Sequence, residues 1–328
     1  MARQCDDGGG SSDLTRANKA RTAGRLARFA MAIVFALSVA MLIHEFRRVS
    51  GRDIMLDLAG MPPRQVLAAV ALTALSYLLL SGYDFLALRY ARRHLGMPAI
   101  LFASFTAFAV SNSIGIQLLS GGSVRYHVYK KYGLTNIEIG AVVIFCSFSY
   151  VVGIVTVGGA MALVEPRDMG RLLGIPQAYV IAAGVLLLLV TLAYLGLCAL
   201  WRKPISISGY HLHPPSLPLV AAQVALASID PIVAGTVIYA LLPHDPGLSY
   251  QAFLPAYLIA ATASVLTLVP GGLGVFEAAM TLLMAPPSKA AALSAFLAYR
   301  AIYFIAPLLI AIIVLVANGT RGGNAGDA

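Results

Sequence analysis

Charge is scarce in this sequence: Asp, Glu, Lys and Arg make up 11% of its 328 residues, against roughly 25% in soluble domains. So few ionic groups cannot cover a water-facing surface, which excludes an ordinary soluble globule. Cysteine is sparse as well. Cys5, Cys146 and Cys198 show no metal-ligand spacing, and an odd number builds no disulfide framework. Cys146 and Cys198 fall in apolar runs and read as small core residues. The usual signatures of catalysis are missing too. His44-Glu45 opens HEFRR rather than H-E-x-x-H, PGGLG is followed by no G-K-[ST], and no G-x-S-x-G occurs. His211 and His213, two apart in a Pro-rich interhelical loop, have no third ligand nearby. The sequence predicts neither a cofactor nor a metal site.

Apolar residues dominate. They make up 59% of the chain, and the mean hydropathy is +0.82. Runs long enough to span a bilayer, each about 20 residues, recur at 27–45, 64–88, 99–119, 138–164, 177–200, 217–242, 250–285 (broken at Pro270) and 289–317. The fold class is therefore all-α and polytopic in the membrane, with about eight apolar helical segments. Residues 1–25 read as a disordered basic cytoplasmic arm, 26–317 as one membrane domain and 318–328 as a flexible tail. The polar arm before the first run is not a secretory signal, because no short core with a cleavage site follows it. The net charge of +9 is distributed around apolar spans, without a basic domain or stacking aromatics, so nucleic acid is not an expected partner.

The basic residues also bear on topology. If all eight runs cross and the arm is cytoplasmic, 12 Lys and Arg fall inside and 10 outside, almost no bias. If 99–119 and 250–285 instead enter and return, from opposite faces, the split becomes 15 inside to 7 outside. This arrangement predicts two broken re-entrant hairpins. Each has its own glycine cluster, SGGSVRYHVYKK in one half and LVPGGLGVFEAAM in the other. Paired interruptions of this kind point to a site built from broken helices, and such backbone must face protein or a cavity rather than lipid.

A helix starting after Gly121-Gly122, capped by Ser123, would offer unpaired N–H groups to a phosphate, with Arg125, Lys130 and Lys131 adding charge. The same three cations also suit ordinary anchoring at a helix end. Glu277, in the first turn after Gly271-Gly272 and Gly274, pairs either with Arg300 on the last helix or with an amine on a substrate. Asp230, just before Pro231 in mid-span, is either a proton or amine site or a local hydrogen-bonding group at the kink. Asp84 is expected to form a helix-end pair with Arg89 or Arg92, or a pair across helices.

The segments YDFLALRYARRHLG, SNSIGIQLLSGGSVRYHVYKKYGLTNIEIG, ASIDPIVAGTVIYALLP, LVPGGLGVFEAAM and LAYRAIYFIAPLLI occur in one order. Together they resemble the membrane flippase region of bacterial lysylphosphatidylglycerol synthases, over roughly residues 26–317. The resemblance implies a stand-alone flippase-like protein of the inner membrane that moves aminoacylated phosphatidylglycerol or a related phospholipid between leaflets. By motif position it implies substrate-binding roles for Gly121, Gly122, Arg125, Tyr126, Asp230, Gly271, Gly272, Glu277 and Arg300. With the chain ending at Ala328 there is no room for the aminoacyl transferase domain of the bifunctional relatives, so lipid aminoacylation is not expected. A separate lipid-modifying enzyme is one partner the reading allows, and homo-oligomerisation is compatible with it. Two rivals stay open: a small-solute or ion transporter with the same broken helices, and a scaffold holding a lipid-modifying enzyme.

Overall fold

The computed structural model of the chain describes residues 51–114, 117–200, 205–207, 210–212, 214–243, 249–267, 269–284 and 288–323. The first expected span, 27–45, lies outside them. Among the described residues the elements are almost all helical. They run α1 (Gly51–Ala59), α2 (Pro63–Tyr90), α3 (Met97–Ile114), α4 (Gln117–Lys131), α5 (Asn136–Val164), α6 (Pro166–Leu173), α7 (Gln177–Leu200), α8 (Leu217–Leu241), α9 (Tyr250–Leu266), α10 (Val275–Met284), α11 (Lys289–Tyr299) and α12 (Ala306–Gly323). A π-helical turn, Arg300–Ile305, joins the last two into one apolar rod. Between α7 and α8 the backbone forms an antiparallel ribbon, β1 (Ile205–Ile207) with β2 (Tyr210–Leu212), in the register Ile205 to Leu212. His211, read as loop, is therefore a strand residue, and His213 lies outside the described residues.

Local chemistry explains the helix starts. Pro63 opens α2, where its missing N–H costs nothing. Thr135 and Glu138 form a reciprocal capping box at α5, and Ser249 and Ser288 cap α9 and α11 through the amides of Ala252 and Ala291. Arg93 clamps Glu138 at 2.8 and 3.1 Å and the Gly133 carbonyl at 3.3 Å, tying the end of α2 to the start of α5.

Five of these helical rods are long and apolar enough to cross a membrane: α2, α5, α7, α8 and the α11–α12 rod. At 1.5 Å per residue, α3 and α4 are about 27 and 22 Å long and α9 and α10 about 25 and 15 Å, short of the roughly 30 Å hydrocarbon core. Each short pair packs on itself, α3 on α4 and α9 on α10. The two hairpins are thus present, with one difference. The first returns through α4, which begins at Gln117, so Gly121, Gly122 and Ser123 lie inside a helix rather than at its start. Two glycines cost a helix about 1 kcal/mol each relative to alanine; close packing explains Gly121, whereas a Cβ on Gly122 would meet Val143 at an ordinary 3.6 Å. A Cβ on Gly121 would sit 2.2 Å from Ser111 Oγ and 3.1 Å from an Arg125 nitrogen. Gly121→Ala is expected to lower the unfolding stability by about 1–3 kcal/mol, the usual range for overpacking, readable as a shift in thermal unfolding in detergent.

The hairpins enter from opposite faces. Ser76 contacts Asp230 while Gly82 lies against Leu226, so α2 and α8 are antiparallel. One face holds the end of α2, the start of α8 and both outer ends of the α3–α4 hairpin, with Tyr90, Leu95 and Leu219 all packed on one core. The other holds the end of α8 and the outer ends of α9 and α10, with Leu241 and Leu242 in a second core on which Leu58 and Met61 also pack. Each hairpin sits in its own core. Phe108, Tyr129, Phe145 and Leu88 surround the first, and Phe253, Tyr257, Phe276 and Phe296 the second.

Candidate functional site

The hairpins meet end-on. Pro270–Gly272 forms a tight turn before α10, with Gly271, Gly272 and Gly274 at φ of 60°, 62° and 80°, a region that favours glycine. A Cβ on Gly271 would lie 3.3 and 3.6 Å from the carbonyls of Ser113 and Asn112, at the far end of α3. Beside this junction is a cavity of about 160 Å³. Its polar lining comes from Ser111, Asn112, Asp230, Ser264, Arg300 and four tyrosines, Tyr150, Tyr257, Tyr299 and Tyr303. Its rim is apolar: Val265 is 45% exposed, and Ile154 and Phe304 are half-buried.

Arg300 organises the second hairpin. Its Nε donates to Glu277 Oε1 at 2.7 Å and its Nη1 to the Gly271 carbonyl, while Glu277 Oε2 accepts the Gly274 amide at 2.8 Å. One guanidinium thus fixes both the turn and the helix that follows it. Its plane lies over Phe304, 4.7 Å from the ring centroid. The third nitrogen, Nη2, is buried and has no hydrogen-bond partner. Of the two alternatives the sequence left for Glu277, the geometry shows the pair with Arg300.

Asp230 sits in α8 one residue before Pro231. Tyr83 donates to Oδ2 at 3.1 Å and Ser76 to Oδ1 at 3.3 Å, and Ser76 shares a 2.9 Å hydrogen bond with the Tyr303 hydroxyl. The π turn that carries Arg300 therefore also reaches Asp230. Such turns occur frequently at functional sites. Pro231 removes the donor that would bond the Ala227 carbonyl, and that oxygen lies against Gly153 of α5, where a Cβ would come within 2.0 Å.

The first hairpin places its expected ligands elsewhere. Arg125 is 1% exposed and forks onto Asp84, Nε to Oδ1 at 2.9 Å and Nη2 to Oδ2 at 2.7 Å. Tyr129 donates to the same carboxylate at 2.7 Å, and the guanidinium lies 4.5 Å from the Phe108 centroid. Asp84 thus pairs across helices rather than with Arg89 or Arg92 at its own helix end. Tyr126 is 41% exposed, with Lys130 5.9 Å from its ring. Gly121, Gly122, Arg125 and Tyr126 do not line the chamber; Asp230, Gly271, Gly272 and Arg300 do, with Glu277 held behind Arg300. Sequence reasoning missed Ser76, Tyr83, Asn112 and the tyrosine wall. Their signal was polar groups inside apolar runs, as in SNS at 111–113 and AYRAIY at 298–303.

Five apolar rods and two abutting hairpins around a buried polar chamber define a multi-pass integral membrane protein. The chain belongs to the family described as the lysylphosphatidylglycerol synthase TM region, whose model matches residues 27–311. It is similar to the uncharacterized protein slr0712 of Synechocystis, 34% identical over 280 residues covering 84% of this chain and 86% of that one. It is also similar to the inner membrane protein YbhN of Escherichia coli K12, 27% identical over 300 residues covering 90% and 93%.

Proposed function

We infer that this protein moves a phospholipid between the leaflets of a bacterial inner membrane, as a carrier rather than an enzyme. The observation that carries the reading is the chamber itself, which sets a buried guanidinium with a free N–H beside an apolar, laterally exposed rim. A headgroup phosphate fits Arg300 Nη2 by a charge-assisted hydrogen bond, while the acyl chains stay in the lipid outside Val265. Ile229, Leu266 and Ile305, each next in sequence to a residue that lines the chamber, are exposed as well. The two hairpins give each face its own gate onto one central site, the arrangement that alternating access requires.

The basic residues support an orientation. If the N-terminal arm and the 202–203 loop share the face of the α3–α4 hairpin, as the sequence reading has it, 14 basic residues fall there against 7 on the other once buried Arg125 leaves the loop count. That face is read as cytoplasmic. The membrane named for the Escherichia coli relative supports the inner membrane as the location. Aminoacylated phosphatidylglycerol enters as one substrate within the class.

The test is leaflet exchange of a fluorescent phospholipid in liposomes containing the purified protein. Exchange well above that of protein-free vesicles is expected. Unchanged asymmetry, with uptake of a small solute instead, would identify a solute carrier and overturn the reading; unchanged asymmetry with a co-purifying lipid-modifying enzyme would identify a scaffold.

A further inference from the structure

Three carboxylates buried among the described membrane helices differ in their compensation. Asp84 is closed by Arg125 and Tyr129, and Glu277 by Arg300 and the Gly274 amide. Asp230 is 5% exposed, receives only the two hydroxyls of Tyr83 and Ser76, and has no cation within ion-pair distance among the described residues. It lines the same chamber as Arg300, whose Nη2 is the buried side-chain atom left without a partner among the described residues.

The charges can be counted. Arg300 and Glu277 cancel, so an ionised Asp230 leaves the empty chamber with one net negative charge. A phosphodiester arriving at Arg300 would make two, and like charges in a small, poorly solvated site oppose one another strongly. Compensation comes either from a proton on Asp230 or from an ammonium carried by the ligand. The surroundings favour the proton. Each oxygen of Asp230 already accepts from one hydroxyl, so two of the four acceptor sites that an ammonium would use are taken. Hydroxyls can also donate or accept, so Tyr83, Ser76 and, through Ser76, Tyr303 can hold the acid as well as its anion. The titratable groups facing Asp230 are Tyr83 from α2, Tyr150 from α5, Tyr257 from α9, Tyr299 from α11, and Arg300 and Tyr303 from the π turn, with Glu277 of α10 behind Arg300. Tyr194 of α7 is engaged by Gln223, two turns away.

We propose that the chamber binds an anionic phospholipid headgroup through Arg300 and takes up one proton on Asp230 with it, so that anionic lipid and proton travel together. The proposal rests on the carrier reading of the chamber. The proton comes from water on the side where the lipid enters and returns to water where it leaves, and no covalent bond of the lipid changes.

The test uses full-length protein in detergent, phosphatidylglycerol as ligand and a pH indicator in weakly buffered solution. Wild-type protein is expected to take up about one proton per lipid bound, with affinity falling by up to about tenfold per pH unit on the alkaline side. Asp230→Asn, neutral at every pH, is expected to bind phosphatidylglycerol with no proton uptake and little pH dependence. Glycerophosphoglycerol, the same phosphodiester without acyl chains, is expected to give no uptake at equal concentration. Binding without proton uptake by the wild type overturns the proposal, as does stronger binding of phosphatidylethanolamine, whose ammonium would then be the compensating charge. Equal uptake with glycerophosphoglycerol overturns the lipid assignment. The proton count is made on wild-type protein, so a misfolded variant does not weaken it. Lipid exchange in liposomes without proton uptake would overturn the coupling alone; proton-linked binding without exchange would overturn the carrier reading alone.

Discussion

Asp84→Ala is expected to cost about 3–5 kcal/mol of stability, the range for removing one partner of a buried ion pair. The replacement leaves the Arg125 guanidinium fully buried without its carboxylate and removes the acceptor of Tyr129. The pair joins α2 to α4 across 41 residues of sequence, so its loss removes a buried tie between the first hairpin and the scaffold. Thermal unfolding in detergent measures the effect. The double variant Asp84→Leu with Arg125→Met should recover most of the loss, because hydrophobic replacements of buried pairs are often neutral or better. If Asp84→Ala instead unfolds like the wild type while lipid exchange disappears, Arg125 is a ligand group and its assignment as a structural tie is wrong.

Arg300→Lys is expected to leave the fold largely intact and to slow lipid exchange by about tenfold to a hundredfold. Lysine keeps the charge beside Glu277 but cannot hold Glu277, the Gly271 carbonyl and a chamber ligand together in one planar fork. Losing a charge-assisted hydrogen bond of roughly 1.5–3 kcal/mol corresponds to that range of rates. The comparison to make is exchange rate against unfolding temperature for wild type and variant in the same lipid. Equal rates in both would remove Arg300 from the site.

The second half of the site was legible in the sequence because its signals are local. Pro270 and three glycines within five residues mark a turn that ordinary helices avoid, and Glu277 and Arg300 stand out as isolated charges in apolar surroundings. Their pairing needed only the idea that each must find a partner. The first half misled for a physical reason. Gly121-Gly122 resembles a break by propensity, yet tertiary packing overrides propensity: the absent Cβ of Gly121 lets α4 approach α3, and the helix runs straight through. For Asp84 the sequence leaves a helix-end pair and a pair across helices both open; the structure shows the second, and its partner Arg125 is set by how a hairpin docks. Such contacts leave no periodic trace. The tyrosine wall was similarly hidden, since a tyrosine in a span reads as apolar bulk until its hydroxyl finds Ser76 or Asp230.

Among the described residues the two hairpins approach each other where the carbonyls of Asn112 and Ser113 face Gly271, so what separates one side of the bilayer from the other at that point is backbone rather than a helix length of packed side chains. A contact so thin can part with a shift of a few ångströms between the end of α3 and the Pro270–Gly272 turn. Leakiness to small ions should therefore be most sensitive to changes at residues 112, 113 and 271, and least sensitive along the long apolar face of α7.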